Sequence, residues 1–288
     1  MELYIVDAFT DKPFCGNTAG VVLCEELDTF RMQNLASELR FSETAFITRL
    51  SPELFGIKYF TSTSEIELCG HATIASFKVL LHKGIVQNYQ SYKIETLAGI
   101  LPVHIQDDLL FMESNAPKNG PFIAEANIKK LCSVLGISVS DVGDYSMSLK
   151  PEIISTGLYD IMLPIKTTSA LAKINPNYKK LSKLSKELSV VGVHAFTLDA
   201  DRFTAKCRNF APLYGIDEEA ATGTSNASLT YYLYKNNVIK DLGKVYMFSQ
   251  GDSMGKPSRI FSKISDNKQP KILIGGNACI VSEGNLFI

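Results

Sequence analysis

Tryptophan is absent, histidine occurs only four times, and the six cysteines (Cys15, Cys24, Cys69, Cys132, Cys207, Cys279) include no C-x-x-C pair. In a chain of 288 residues this spread argues for reduced thiols and against a disulfide framework. Cys69 and His71 could share a metal, but no second pair stands at ligand spacing, so no metal site and no cofactor are expected. Long apolar runs are also missing. No segment approaches the roughly 20 residues that span a bilayer, and Met1 to Asp7 reads as a strand without the basic region of a signal peptide. No block of basic residues interrupts a net charge of −1, which leaves no electrostatic footprint for nucleic acid or an anionic membrane. What remains is a globular protein, expected to be cytoplasmic. At 45% hydrophobic and 20% charged, it is long enough for one large or two medium domains.

The stretch around which the chain is organised is Cys69-Gly70-His71-Ala72-Thr73 with the apolar run Ile74 to Leu81 behind it. Ile74, Phe77 and Leu81 fall on one helical face, and Ala75 and Val79 fill much of the rest. That pattern predicts a helix buried nearly all round and stopped at Lys83-Gly84. The first turn of such a helix leaves backbone N–H groups unpartnered at the positive end of its dipole, which suits a carboxylate or phosphate. A second copy follows, in which Gly223-Thr224-Ser225-Asn226-Ala227-Ser228 leads into Leu229, Tyr231, Tyr232, Leu233 and Tyr234. Gly70 and Gly223 stand 153 residues apart, Leu35 to Leu39 matches Leu184 to Leu188 at 149, and Ala45-Phe46 and Phe60 match Ala195-Phe196 and Phe210 at 150. Landmarks in one order with little drift predict an internal duplication.

Between these landmarks stand the other candidates. Cys15-Gly16-Asn17-Thr18 is a loop of small residues before a strand, open to reading as a hairpin turn or as a ligand loop. Asp28 is placed to cap a helix with Phe30, Leu35 and Leu39 as its buried stripe. In Ser42-Glu43-Thr44-Ala45-Phe46-Ile47, alternation puts Glu43 on one face with Ala45 and Ile47. Apolar neighbours there would raise its pKa towards neutrality, as proton transfer requires, whereas the bland alternative is a solvated surface glutamate. Ala116 to Gly120, with Pro117 inside it and Pro121 directly after, reads as a linker. Thr156-Gly157 holds the place in the second half that Gly16-Asn17 holds in the first, and Asp217-Glu218-Glu219 precedes the second buried helix. Gln250 to Ser258 approaches a phosphate-binding loop but fails its spacing and has a proline where the Ser or Thr belongs.

Asp7-Ala8-Phe9-Thr10, Gly16-Asn17, Ser42 to Phe46, Cys69 to Thr73, Ala221-Thr222-Gly223 and Met254 to Ser258 together resemble the phenazine-biosynthesis PhzF-like proteins, in that family's order over nearly the whole chain. The resemblance implies a diaminopimelate epimerase-like α+β fold: two pseudo-symmetric domains, each a barrel-like sheet around a central helix, with the active site in the cleft between them. It implies domains of 1–116 with about 275–288, and 117–274. By position, Glu43 matches the family's acid/base glutamate, Gly70 and His71 its ligand-contacting pair, and Gly223 the glycine at the second helix start. Glu219 stands where the family usually has Asp and Thr224 where it has Ser, which keeps the functional groups and leaves the substrate open. The implied activity is cofactor-independent proton transfer on a small carboxylate-bearing metabolite. Glu43, His71 and Glu219 would be catalytic, with Gly16, Asn17, Gly70, Gly157, Gly223 and Thr224 around the substrate, in a homodimer. A non-catalytic acid-binding protein on the same fold is the alternative. A two-thiol racemase is disfavoured, because the place matching Cys69 in the second half holds Ala221 or Thr222.

A site split between two domains is complete only when they meet, and closure would expel water from the helix ends. Small-angle scattering is therefore expected to show a smaller radius of gyration at saturating active-site anion than without it; an unchanged radius would mean a preformed site.

Overall fold

The computed structural model describes residues 1–265 and 269–288, and these divide into two compact units, Met1–Glu113 with Gly275–Ile288, and Ser114–Ile274. The first unit runs β1 (Glu2–Ala8), β2 (Asn17–Leu23), α1 (Thr29–Leu39), β3 (Glu43–Arg49), β4 (Leu54–Phe60), β5 (Glu65–Ile66), α2 (Gly70–His82), β6 (Ser91–Thr96), β7 (Gly99–Gln106) and β8 (Leu109–Glu113). The second runs β9 (Lys118–Asn119), α3 (Glu125–Leu135), β10 (Glu152–Ser155), β11 (Tyr159–Pro164), α4 (Thr168–Lys173), α5 (Tyr178–Glu187), β12 (Gly192–Thr197), β13 (Ala205–Ala211), β14 (Ile216–Glu219), α6 (Gly223–Lys235), β15 (Tyr246–Gln250) and β16 (Ser258–Ile264). β17 (Ile272–Gly276) leads to β18 (Ala278–Asn285), which pairs antiparallel with β1.

The duplication is visible in the pairings. In the first unit β1 pairs antiparallel with β2, β2 runs parallel to β3, β3 is antiparallel to β4, β4 takes on its other edge antiparallel β5 at its end and parallel β6 at its start, and β6 pairs with β7. In the second, β10, β11, β12, β13, β14, β15 and β16 repeat each of these pairings in the same order and sense. The sequence landmarks fall at matching places. Phe60 packs with Met32 and Leu35 of α1, and Phe210 with Leu181 and Leu184 of α5. The fold is thus α+β, with one helix, α2 or α6, enclosed by each sheet. α2 packs against β1, β2, β3, β8 and β18, and α6 against β10, β11 and β16.

Composition explains the enclosure. His71 to Phe77, Val79 and Leu80 are all buried, so α2 has almost no solvent face, and Phe77 meets the rings of Phe55 at 5.8 Å and Tyr92 at 6.1 Å. Such a helix is stable only inside a sheet. α1 is the contrasting outer helix. Asp28 caps it, accepting from Arg31 N at 2.9 Å, and Met32, Leu35 and Ala36 face the sheet. Phe30, expected in that stripe, is instead 75% exposed, because the buried set is centred one position round the helix. The expected linker at 116–120 is also partly ordered, since Lys118–Asn119 pairs with β10. All six cysteines are free. No helix among the described residues is long and apolar enough to cross a membrane.

Truncating a fully buried aromatic leaves a cavity, so Phe77→Ala should cost about 3–5 kcal/mol, while Phe30→Ala should stay within about 0.5 kcal/mol. Denaturant unfolding of the two variants beside the wild type checks this, and equal losses would contradict the assignment of α2 as the enclosed helix.

Candidate active site

In the first unit the loop from β1 to β2 and the head of β3 converge on the first turn of α2. Parallel pairing of Ala19 with Glu43 sets the start of β3 beside β2, and the Glu43 side chain, 16% exposed, reaches His71 with Oε2 3.1 Å from Nε2. That oxygen accepts no well-aligned hydrogen bond, so the contact is a close charge pair outside the ideal N–H direction. Ser42 Oγ lies 3.3 Å from the same Nε2. On the other side of the ring, Cys69 Sγ is 3.3 Å and Asn17 Nδ2 3.4 Å from Nδ1. Cys69 is the N-cap of α2 yet makes no side-chain capping bond, so the N–H groups of the first turn have no cap from their own segment. Glycine at position 70 is not forced by packing, since a Cβ there would meet nothing within 4 Å. Gly16 is different: φ is +70° and a Cβ would sit 2.1 Å from Ala8 O, so the turn itself requires glycine.

The second unit repeats the arrangement with other residues. Thr222 is the N-cap of α6 and also makes no capping bond, because its hydroxyl donates to Glu219 Oε2 at 2.6 Å. Thr156, in the turn from β10 to β11, donates to Thr224 O at 2.9 Å and stands 3.1 Å from Ser228 Oγ, which ties the turn carrying Gly157 to the helix start. Gly223 opens the helix, and Gly157 and Thr224 are exposed. Of the three acids before α6, Glu218 is committed elsewhere, accepting from Nε and Nη2 of Arg208 at 2.8 Å each. Asn17, Glu43, Gly70 and His71 thus form one cluster, and Gly157, Glu219, Gly223 and Thr224 surround the other helix start. Ser42 and Gln250 belong to these clusters without having been singled out by sequence. Ser42 was legible as the neighbour of Glu43, whereas the only signal at Gln250, a phosphate-loop pattern that fails its spacing, did not point to this role.

A family model described as a phenazine biosynthesis-like protein, PhzC-PhzF, matches residues 6–284. The chain belongs to the PhzC-PhzF family. An uncharacterized isomerase of Clostridium acetobutylicum is 35% identical, over 100% of this chain and 98% of that protein. The crystal structure of the PhzF-family phenazine biosynthesis protein of Bacillus anthracis superposes with a TM-score of 0.89 at 27% identity, over 100% of this chain and 99% of that one. A probable proline racemase from Agrobacterium radiobacter shares the fold, with a TM-score of 0.62 at 13% identity over 100% of this chain and 93% of that one. This PhzC-PhzF chain is an enzyme of the isomerase class, as its curated relatives are named.

Within this PhzC-PhzF chain the electrostatics of the first cluster run against the expectation that burial would raise Glu43. Burial does push its carboxyl up, but the close approach of His71, with Ser42 and Cys69 beside it, outweighs burial and holds the group below the ordinary glutamate value. His71 moves oppositely: burial pulls it down, and Cys69 and Glu43 raise it well above the ordinary imidazole value. Burial holds the Cys69 thiol above its own usual value, so it is neutral at pH 7 and the lasting partner of the imidazolium is Glu43. Glu43, Cys69 and His71 also offer three ligand atoms within 4.8 Å of one another. A metal there would have to displace the proton that this pairing holds on His71.

The pair fixes a pH window for stability. Raised in the folded chain, His71 contributes stability that is complete below about pH 6.5 and is lost as pH rises through its folded value. Glu43, lowered, contributes stability that is complete above about pH 4.3 and is lost as pH falls through its folded value. The difference in unfolding free energy between wild type and Glu43→Gln should therefore be largest near pH 5–6 and shrink towards both extremes. A difference independent of pH would refute the ion pair.

Proposed function

We propose that the chain is a cofactor-independent isomerase that moves a proton on a small carboxylate-bearing metabolite, and the observation that carries this is the Glu43–His71 pair, 3.1 Å apart at the uncapped start of a buried helix. The N–H groups of that first turn would bind the carboxylate, and the helix dipole would stabilise the enolate-like charge that forms when the adjacent carbon loses its proton. Glu43, ionised at neutral pH, is the base that takes the proton and returns it to another carbon. His71, protonated, donates a hydrogen bond to the developing charge or supplies a second proton. Glu219 orients the substrate or transfers a proton from the second unit. The buried Glu43 carboxylate supports catalysis over passive binding, because desolvating it is costly and a site that only bound an acid would be repelled by a second carboxylate.

Incubation in heavy water with a panel of small amino and hydroxy acids should reveal deuterium uptake into the true substrate. Glu43→Gln should lower that uptake by about 10²–10⁴-fold, read by mass spectrometry. Uptake at the wild-type rate in the variant would remove Glu43 from the chemistry.

A further inference from the structure

The two units differ where a strand leads into the outer helix. In the first, β2 reaches α1 through residues 24–28, whereas in the second β11 reaches α5 through residues 165–177, which carry α4. α4 packs on β12 and β13, and its Leu171, together with Ile174 just after it, is buried with Ala195 and Phe210 in the outer core. Arg208 of β13 holds the end of this turn, donating from Nη1 to Leu171 O at 3.1 Å and to Ile174 O at 2.7 Å. Its Nε and Nη2 are taken up by Glu218 at 2.8 Å each.

The first unit has the matching receptor without the turn. Phe60 matches Phe210, so Lys58, two residues earlier on β4, stands where Arg208 stands on β13. In register Phe46 faces Lys58 as Ala195 faces Arg208. Ile66 pairs with Tyr59 as Glu219 pairs with Asn209, so Glu65 stands where Glu218 does. Lys58, Glu65 and Phe46 line a cavity of about 670 Å³ between α1 and the outer face of β3 and β4, a size that suits a ligand.

The character of this cavity is that of a groove for a helix. Its floor is apolar, with Phe46 and Met32 buried, and Leu50 and Leu97 form a lip at 50% and 65% exposure. Glu65 Oε1 is buried without a hydrogen-bond partner, and Lys58 is exposed. Around the rim Glu25, Glu26, Asp28, Glu65 and Glu95 outnumber Lys58 and Arg31, so a basic segment is attracted and an acidic one repelled. Glu43 and Phe46 point to opposite faces of β3, which separates the groove from the candidate active site.

We propose that the groove docks one basic helical turn of a partner protein, built as α4 is. Two apolar residues three apart would lie over Met32 and Phe46, the anchor spacing by which a helix is read in a groove. The carbonyls that end the turn would accept from Lys58, as those of Leu171 and Ile174 accept from Arg208, and a basic side chain would face the acidic rim.

The probe is a peptide of residues 165–177 of this chain, blocked at both ends, which carries Lys166, Leu171, Lys173 and Ile174. It is titrated into the full-length protein labelled with carbon-13 at the methionine methyls, with Met32 assigned through Met32→Leu. The Met32 resonance should shift saturably, and should stay still with a peptide carrying Leu171→Asp and Ile174→Asp. Binding should weaken about threefold in Lys58→Met and in Glu65→Gln, and further with added salt. A Met32 resonance unmoved at millimolar peptide, or moved equally by the Asp-substituted peptide, would overturn the proposal. So would a Met32 resonance that moves with protein concentration alone, because a second copy of the chain would then cover the groove.

Discussion

Enclosing an apolar helix inside a sheet constrains everything else in this chain. A helix with almost no solvent face gains stability from burial along its length, on the order of 25 cal/mol for each Å² of apolar surface removed from water, but its first-turn N–H groups cannot be satisfied by its own backbone. An ordinary helix answers with a capping side chain, as Asp28 does for α1 and Asn177 does for α5. α2 and α6 do not. Cys69 makes no capping bond, and the Thr222 hydroxyl is turned towards Glu219 instead. α3, which starts behind Ala124, has no side-chain cap either, so a missing cap does not by itself mark a site; what distinguishes α2 and α6 is that the candidate site residues gather at their starts.

The two starts are built alike and equipped differently. The first carries a charge pair, Glu43 with His71, flanked by Ser42, Asn17 and Cys69. At the second, Val193 stands opposite Phe210 as Thr44 stands opposite Phe60, so the position matching Glu43 is Gly192, without a side chain, and the carboxylate comes from Glu219 at the end of β14, held by Thr222. A duplication fixes backbone topology because each pairing depends on the same alternation of strands and helices, but it leaves single side chains free to diverge. One half has concentrated its titratable groups at the helix start. The other has drawn its histidine, His194, wholly into the interior.

Much of the fold was legible because it rests on periodic signals. The two buried helices, the outer helix capped by Asp28, and the matched landmarks from Leu35 to Phe60 and from Leu184 to Phe210 all reflect patterns of 3.6 or 2 residues, which local sequence carries. The site was legible only as a set of candidates. Glu43, Gly70 and His71 stood out by residue type beside glycine-led helix starts, and the resemblance to PhzF-like proteins supplied their suggested roles.

The sequence by itself determined where helices must be enclosed and which polar residues stand at their starts, because burial and backbone valence are decided by residues close together along the chain. Tertiary structure alone decided what those residues do to one another. Glu43 was expected to be raised by apolar neighbours, yet it is lowered because His71, 28 positions away in sequence, arrives at 3.1 Å with an opposite charge. Phe30 was expected in the core and lies outside it, since the face a helix buries is set by the sheet it meets. Gln250 drew notice only as the start of a failed phosphate-loop pattern, and its four hydrogen bonds to Glu219, Thr222 and Asn226 exist only because β15 and the start of α6 are brought side by side. Electrostatic and hydrogen-bond partners depend on distance in space, which falls off over a few ångströms and bears no fixed relation to distance along the chain.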